Sequence, residues 1–441
     1  MDASDTPVVA LDRARLEHAY RRVRNQSMML VEGLTPEDCM VQSMVEASPV
    51  KWHLAHVTWF FETFVLEMWL PRFGRQFHAF SPAYRMLFNS YYVGVGPRHP
   101  RAERGVLSRP SLEEVCAYRK AIDEQMMALL AEANLDPALI GLITLGINHE
   151  QQHQELILTD LKHHFSRNPL LPVFREMRPE QHGPPPLKSG FVRFTGGKDQ
   201  IGHAGGSFAF DNEHPRHGVW IEPFEMATRL VTNAEYLDFI RDGGYQRADL
   251  WLSDGWDTLC RERWEAPLYW LEEGDVYTLG GRRRRDPDEP VCHVSYYEAD
   301  AYARWAKARL ALECEWEHVA QSLPRDADLT TAQTAIRGNF LESGQLHPRA
   351  PAAQDRASNG MAQLFGDVWE WTQSAYLAYP GFEPSAGAVG EYNGKFMANQ
   401  MVLRGGSCAT PADHVRASYR NFFYPQARWQ FSGIRLVRNL R

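Results

Sequence analysis

The stretch that most constrains the fold carries two histidines four residues apart, His149 and His153, within LGINHEQQHQEL (145–156). On an α-helix this spacing places both imidazoles on one face, one turn apart. Two imidazoles in this arrangement form half of a binding site for a divalent transition metal. The same letters spell H-E-x-x-H, the signature of zincin metalloproteases, in which Glu150 would be the general base. The sequence therefore predicts a metal-binding helix and leaves its chemistry open.

A transition-metal site usually needs a third protein ligand. An upstream helix offers His53 and His56, which share roughly one face, and only one of them can easily meet the H-E-x-x-H helix. A metzincin would continue after His153 with x-x-G-x-x-H, which this sequence lacks. Three neutral histidines without a carboxylate suit Fe(II) that handles O₂, and Zn(II) with one open position fits nearly as well. The residues alone leave both metals open.

Four long helices are predicted in the first part of the chain. Apolar residues recur at helical spacing, Ser48 followed by proline is a typical capped helix start, and Ser111 followed by two acids is another. The predicted helices span 11–30, 50–70, 111–133 and 137–165. The irregular stretch 77–110 is predicted to be a long crossover loop between the second and third helices. Four helices with one such loop predict a four-helix bundle, in which metal sites lie on facing helices of the core.

The residue composition and the spacing of apolar residues change after this predicted bundle. Residues 169–189 are rich in proline and are predicted to be an interdomain linker. From residue 190, short apolar runs alternate with Gly, Asn and Pro, and Ser295 with Glu298 predicts a capping box at one clear helix. We therefore predict an α+β protein with a metal-binding bundle at 1–168, a linker at 169–189 and a second domain at 190–441.

Composition narrows the class of protein. A chain of 441 residues is too long for one compact core, and a net charge of −8 argues against nucleic acid or an anionic membrane as the main partner. The first residues lack a signal peptide, and no apolar stretch is long enough to span a bilayer. The six cysteines are scattered without a C-x-x-C pair, which suits reduced thiols. These features predict a cytoplasmic protein with small-molecule substrates and leave its oligomeric state open.

The second half resembles the formylglycine-generating (sulfatase-modifying) enzymes, which have a C-type-lectin-like fold. The matching motifs, in order, are VTNAEY (231–236), PVCHVS (290–295), ECEWE (313–317), GDVWEWT (366–372), LRGGS (403–407) and GIRL (433–436). The first half, with its H-x₃-H, is similar to DinB-type four-helix bundles. Together the halves resemble the ergothioneine-pathway sulfoxide synthases (EgtB type). That family uses non-haem Fe(II) and O₂ to join the sulfur of cysteine or γ-glutamylcysteine to the imidazole of Nα-trimethylhistidine (hercynine), giving a sulfoxide.

The resemblance implies Fe(II) as the cofactor, with His56, His149 and His153 as its ligands. It also implies that Gln152, beside the last ligand, contacts the imidazole of hercynine. The functionally important residue between the two histidines of the H-E-x-x-H stretch would then be Gln152 rather than Glu150.

The resemblance also implies roles for residues outside the two metal-binding helices. Arg101 and Arg104 would hold the carboxylate of the thiol substrate, for which a guanidinium fork is geometrically suited. Asn421 would lie near the ammonium and carboxylate groups of hercynine. The proton donor is expected to be a tyrosine near the iron, with Tyr91 and Tyr92 in the crossover loop as the candidates.

The sequence departs from its relatives in ways that define the alternatives. Phe423 stands where some members carry an acid, which favours free cysteine over γ-glutamylcysteine. A formylglycine-generating enzyme needs two nearby cysteines in the last stretch, and only Cys408 is present. Ovothiol-type 5-histidylcysteine sulfoxide synthases commonly carry an extra methyltransferase domain, for which we expect no room here. That activity, a non-enzymatic zinc-binding scaffold, and Tyr376 or Tyr379 as proton donor are the alternatives.

Overall fold

The computed structural model describes residues 13–132, 134–176, 187–323, 336–352 and 355–440. The chain divides into two compact units. One holds the residues up to Arg167 with two short segments of the second half, 205–210 and 384–392; the other holds 168–204, 211–383 and the residues from 393 onward. The linker at 169–189 stays a prediction, because residues 177–186 lie outside the described ranges.

The first unit is built from four long helices, which correspond to the four predicted ones. They are α1 (Arg13–Val31), α2 (Val50–Phe60), α3 (Leu112–Leu130) and α4 (Pro137–Ser166). A capping box between Ser111 and Glu114 begins α3, and the Asp136 side chain caps α4. Helix α4 packs against α1 and α2, and α2 also packs against α3. No helix of the described ranges is both long and apolar enough to cross a membrane.

Helix α2 differs from the prediction at both ends. Its first residue follows Pro49 and no side chain caps it, so the prediction that Ser48 is the cap is wrong. The Ser48 side chain instead accepts a hydrogen bond from Arg104, and its N–H donates to Asp160. At the other end the α-helix widens into a π-helical turn over Phe61–Leu66. Tertiary contacts have overridden the local cap signal at Ser48.

Gly146 allows α2 and α4 to approach closely, one turn before His149. A Cβ atom at Gly146 would lie 2.6 Å from Cε1 of Phe61 and 3.0 Å from Cε1 of Phe60. Real side chains do not tolerate the shorter distance, so an alanine would force these buried rings to move. The glycine therefore lets the aromatic face of α2 pack directly on the histidine-bearing part of α4.

A buried ionic network fixes the rotation of α4 about its axis. The Glu150 carboxylate accepts hydrogen bonds from Arg24 at 2.9 Å, from Ser27 at 2.6 Å and from Arg119. All four side chains are buried. Burial by itself would raise the pKa of Glu150, but the Arg119 and Arg24 guanidiniums outweigh it and lower that pKa to about 2. Glu150 thus joins α4 to α1 and α3.

The described part of the second unit combines short strands with four helices of eight or more residues. The helices are α5 (Asn233–Arg241), α6 (Ser253–Glu262), α7 (Tyr296–Trp305) and α8 (Glu313–Gln321). The strands are β1 (Phe191–Phe194), β2 (Gly197–Ile201), β3 (His217–Ile221), β4 (Phe224–Ala227), β5 (Asp275–Thr278), β6 (Gly281–Arg284), β7 (Trp369–Ala375), β8 (Met401–Arg404), β9 (Asn421–Phe423), β10 (Ser432–Gly433) and β11 (Val437–Asn439).

These strands form two sheets and two hairpins. The sheets have the orders β1-β4-β11 and β10-β7-β8-β9, in which only β10 and β7 run parallel, and the hairpins are β2-β3 and β5-β6. The predicted capping box of Ser295 and Glu298 begins α7. Three of the sequence motifs meet in one buried cluster, where Glu370 accepts hydrogen bonds from Arg435 at 2.9 Å and from Trp316 at 3.0 Å. These motif residues hold the core of the second unit together.

We expect Glu150→Ala to lower the free energy of unfolding of the bundle by about 3–5 kcal/mol, because it leaves the buried Arg119 guanidinium without a carboxylate partner and leaves Arg24 with Asp123 alone. Urea unfolding measures this loss. Glu17→Ala is the control, since it removes the exposed i,i+4 partner of Arg21 and should cost less than about 0.5 kcal/mol.

The same pair of proteins gives a pH test. Because the pKa of Glu150 is lowered to about 2, its stabilisation is complete above the ordinary carboxyl pKa of about 4.3 and is lost as the pH falls toward 2. The stability difference between wild type and Glu150→Ala should shrink over that range. A difference that stayed constant down to pH 2 would contradict the ionic network.

Candidate metal centre

Three of the predicted site residues converge in the core of the first unit. His56 comes from α2, while His149 and His153 come from successive turns of α4, and their nearest ligand atoms all lie within 4.8 Å of one another. The ring centroids are 5.0 Å apart for His56 and His149, 4.8 Å for His56 and His153, and 4.7 Å for the pair on α4. His56 and His149 are buried and His153 is half-buried. This cluster is called the His triad below.

The protonation of the His triad suits a metal ion. Burial lowers the pKa of all three imidazoles, to about 4 for His149, and in His56 and His153 the neighbouring imidazoles lower it further. The neutral imidazole is the form that binds metals. His56 donates its Nδ1–H to the carbonyl of Phe88 at 2.6 Å, which leaves its Nε2 as the ligand atom. Within the described part of the chain, Nδ1 of His149 is buried without a hydrogen-bond partner, which is uncommon for a buried polar atom.

The donor set contains three nitrogens and no carboxylate. Among the described residues, this is the only group of three or more His, Cys, Asp or Glu side chains placed to hold one ion. Its nitrogen donors fit a divalent transition metal such as Fe(II) or Zn(II), and do not fit the all-oxygen coordination of Ca²⁺ or Mg²⁺. The His triad therefore has the chemistry of a site with three protein ligands and further positions open.

The position and the partners of Glu150 exclude the zincin alternative. In a zincin the glutamate of H-E-x-x-H acts as the general base at the metal. Here Glu150 is rotated about 100° from His149 around the helix and is held by Arg24, Arg119 and Ser27. A carboxylate neutralised by two buried guanidiniums is a structural group rather than a base.

Arg104 places an uncompensated positive charge near the His triad. Arg104 is only 4% exposed, and its guanidinium lies 3.4 Å from the ring centroid of Trp52, which in turn stacks on His56 at 4.7 Å. The guanidinium donates to the hydroxyls of Ser48 and Ser90 at 2.9 and 3.2 Å, and its Nε has no hydrogen-bond partner among the residues that the structure describes. Burial, followed by repulsion from neighbouring arginines, lowers the pKa of Arg104 to about 9. The described hydrogen bonds of this buried cation go to neutral hydroxyls, so an anion that bound there would compensate its charge.

The other predicted residues of the crossover loop lie in different surroundings. Arg101 is exposed and donates to the hydroxyl of Tyr91 at 2.7 Å and to the carbonyl of Glu46. Tyr92 is buried, and its ring packs against Phe64 at 4.9 Å and against Trp59 at 5.7 Å, while Trp59 itself stacks on His56. Tyr92 is thus separated from the His triad by one aromatic ring.

The remaining predicted residues fall on α4 and in the second unit. Gln152 is half-buried on α4, next to His153. Asn421 begins β9, where its side chain accepts a hydrogen bond from the N–H of Phe422. Tyr376 stacks on Phe422 at 4.0 Å, and the hydroxyl of Tyr379 accepts from Arg404 at 3.0 Å. Both alternative tyrosines therefore belong to the packing of the second unit.

Sequence reasoning missed a contact to the crossover loop from the segment at 384–392. Glu391 accepts hydrogen bonds from the N–H groups of Val93 at 3.0 Å and Gly94 at 2.8 Å. Beside it, the ring of Tyr392 lies edge-on to Tyr91 at 5.8 Å, and burial raises the pKa of Tyr392. These residues are about 300 positions apart in sequence, so no local pattern could have joined them.

Comparison with known proteins agrees with this architecture. Residues 19–157 match the DinB superfamily and residues 179–440 match the sulfatase-modifying factor enzyme 1-like domain. The chain is 33% identical to the hercynine oxygenase of Mycolicibacterium thermoresistibile over 98% of this chain and 96% of that protein. The chain belongs to the hercynine oxygenase family. The predicted α+β fold class, with its DinB-like bundle and formylglycine-generating-enzyme-like domain, is confirmed by these matches.

Two further relatives show how much of the chain this similarity covers. The hercynine oxygenase of Mycobacterium tuberculosis is 33% identical over 94% of this chain and 96% of that protein. Ergothioneine biosynthesis protein 1 of Schizosaccharomyces pombe is 30% identical over 53% of this chain and 28% of that protein. The bacterial proteins therefore match this chain along nearly their whole length.

We expect His56→Ala, His149→Ala and His153→Ala each to abolish tight binding of Fe(II), because two imidazoles do not complete the site. Metal content after anaerobic loading and desalting measures this. His164→Ala is the control, since His164 is also buried on α4 but bonds to Ser43 and Ser48 instead. Full metal content in any of the three triad variants would remove that residue from the ligand set.

Proposed function

We propose that this protein is an Fe(II)- and O₂-dependent sulfoxide synthase that joins the sulfur of cysteine or γ-glutamylcysteine to the imidazole of hercynine. The proposal depends on the His triad, which has two buried members, one half-buried member and no carboxylate, in a chain that belongs to the hercynine oxygenase family over nearly its full length. The product would be a sulfoxide of the ergothioneine pathway. Three protein ligands leave several positions of an octahedral ion open, as this three-component reaction requires.

An Fe(II) ion held by His56, His149 and His153 would supply the activation of O₂ and the deprotonation of the thiol. The protein supplies the position of the substrates and a dry environment around them. His56 is enclosed by the rings of Trp52 at 4.7 Å and Trp59 at 5.6 Å, which cover this ligand with apolar surface. Such burial strengthens the electrostatic interactions within the site.

Arg104 is our proposed anchor for the carboxylate of the thiol substrate. Its guanidinium is buried, its hydrogen bonds go to neutral hydroxyls, and it lies one aromatic ring away from His56. A carboxylate arriving there would gain a charge-assisted hydrogen bond and would compensate the buried charge. Arg101 is exposed and already bonded to Tyr91, so we assign it the outer part of the same binding region.

The remaining residues of the proposed site concern hercynine and the proton. Gln152 is assigned to the hercynine imidazole and Asn421 to its ammonium and carboxylate groups. Tyr91 and Tyr92 are the proposed proton donors. The Tyr91 hydroxyl accepts a hydrogen bond from Arg101, and the Tyr92 ring packs on Trp59, which stacks on His56. Phe423 packs edge-on against Trp429 at 5.7 Å, and its apolar ring offers no charge to a γ-glutamyl ammonium group. Free cysteine is therefore our proposed thiol substrate.

The deciding experiment loads the protein with Fe(II) without oxygen and then adds O₂, hercynine, and equal amounts of cysteine and γ-glutamylcysteine. Mass spectrometry should detect the C–S-linked sulfoxide, mainly of cysteine, with matching consumption of O₂. The Zn(II)-loaded protein is the control and should give no product, because zinc has no redox chemistry. Cysteine sulfinate as the only product, or equal turnover with zinc, would contradict the proposed function.

We expect Arg104→Ala to raise KM for the thiol substrate by about 10- to 100-fold, which corresponds to losing one charged hydrogen bond of about 1.5–3 kcal/mol. The KM for hercynine should change little. Arg98→Ala is the control, because Arg98 lies in the same loop, is exposed, and donates to the carbonyl of Ser90 at 3.1 Å. An equal rise in both KM values would show general damage to the site instead of loss of a carboxylate anchor.

A further inference from the structure

His53 touches the His triad without being part of it. Its Nδ1 lies 2.8 Å from Nδ1 of His153, and its Nε2 lies 3.0 Å from Oδ2 of Asp160. We propose that His53 and Asp160 are positioning residues that determine which nitrogen of His153 binds the metal. The proposal rests on the metal centre proposed above. It gives His53, which the sequence offered as a possible ligand, a role behind the ligands, and it adds Asp160, which no motif indicated.

The tautomers follow from the hydrogen bonds. Asp160 accepts at Oδ2, so Nε2 of His53 carries the proton of that contact. A neutral imidazole has one N–H, which leaves Nδ1 of His53 as an acceptor. The facing Nδ1 of His153 must then carry a proton, because two bare nitrogens would not approach to 2.8 Å. Nε2 of His153 is therefore the nitrogen left bare for a metal.

Burial makes this arrangement selective. His53 and Asp160 are each only 2% exposed, so water does not compete for their hydrogen bonds. Metal-binding histidines usually donate their second N–H directly to a carboxylate or a carbonyl, which orients the ring and makes it a stronger ligand. Here a second imidazole stands between the ligand and the carboxylate. The negative charge of Asp160 reaches His153 through His53.

Asp160 also connects the metal centre to the proposed substrate anchor. The same Oδ2 accepts the N–H of Ser48 at 2.8 Å, and the hydroxyl of Ser48 accepts from Arg104 at 2.9 Å. This explains why Ser48 does not cap α2: its polar groups are committed to α4 and to Arg104. One carboxylate thus orients His153 through His53 and Arg104 through Ser48.

The test compares two substitutions at Asp160 with the same two at a control carboxylate. Asp160→Asn keeps an oxygen acceptor for His53 and Ser48 and removes the charge, while Asp160→Ala removes both. Asp123 is the control; it lies on α3 and also accepts two hydrogen bonds, from Arg24 at 2.7 Å and Tyr20 at 2.6 Å. Co(II), whose visible absorption reports its ligands, is the probe for affinity in the full-length protein.

We expect Co(II) to bind about tenfold more weakly to Asp160→Asn and about 100-fold more weakly to Asp160→Ala, in the range found for partners of metal-binding histidines. Asp123→Asn and Asp123→Ala should bind as the wild type does. Wild-type affinity in Asp160→Ala would overturn the proposal. If that variant does not fold, unchanged affinity in Asp160→Asn would overturn the charge effect by itself.

A second readout uses the metal-free protein and does not depend on activity. In ¹⁵N-histidine-labelled protein, long-range ¹H–¹⁵N correlation spectra distinguish the two tautomers, and the His153→Gln variant identifies the signal of His153. We expect the proton on Nδ1 of His153 in the wild type and in Asp160→Asn, and a mixture of tautomers in Asp160→Ala. A proton on Nε2 of His153 in the wild type would overturn the proposed orientation of His153 by His53 and Asp160. A wild type that binds no Co(II) would overturn the metal centre as well.

Discussion

The packing of α2 on α4 is the contact on which the site depends. Three imidazoles from these two helices share one core position, and the missing side chain at Gly146 permits the approach next to them. Counting about 100° per residue, Gly146, His149, His153 and Asp160 all fall within about 60° of one another around α4. One face of this helix therefore provides the close contact with α2, two metal ligands and the carboxylate that orients His153 through His53.

The charges of the bundle are divided between two kinds of surroundings. Around Glu150, the charges of two guanidiniums and a carboxylate compensate one another, and the Ser27 hydroxyl adds a further hydrogen bond. Around the His triad, the imidazoles are neutral and the Arg104 guanidinium has only hydroxyl partners. Unsatisfied groups of this kind are expensive in a core unless a ligand completes them. The Glu150 network therefore stabilises the fold, while the His triad and Arg104 form the part of the bundle that we propose binds the metal and the substrate.

Local sequence patterns predicted much of this structure, and the failures have a common cause. The four helices, the capping boxes at Ser111 and Ser295, and the shared face of His149 and His153 follow from spacing along one element. The cap predicted at Ser48 was wrong because its partners, Asp160 and Arg104, are distant in sequence. Residue spacing also left His53 and His56 equivalent, and only packing against α4 separates a ligand from the residue behind it.

Contacts between distant segments were outside the reach of any local pattern. Glu391 and Tyr392 join the crossover loop from the second half of the chain, and nothing in their immediate sequence indicates this role. The role of Glu150 also changed, because H-E-x-x-H specifies which face a residue lies on but not which helices cover it. The surrounding arginines come from α1 and α3, so only the assembled bundle shows that this glutamate is structural.

The central claim is that three imidazoles, without a carboxylate, hold the iron. X-ray absorption at the iron K-edge of the Fe(II)-loaded protein, prepared without oxygen and without substrates, tests it most directly. We predict a first shell of nitrogen and oxygen atoms, with outer-shell scattering of about three imidazoles that falls to about two in any weakly loaded His153→Ala sample. A first shell containing sulfur, or a spectrum without imidazole scattering, would contradict it.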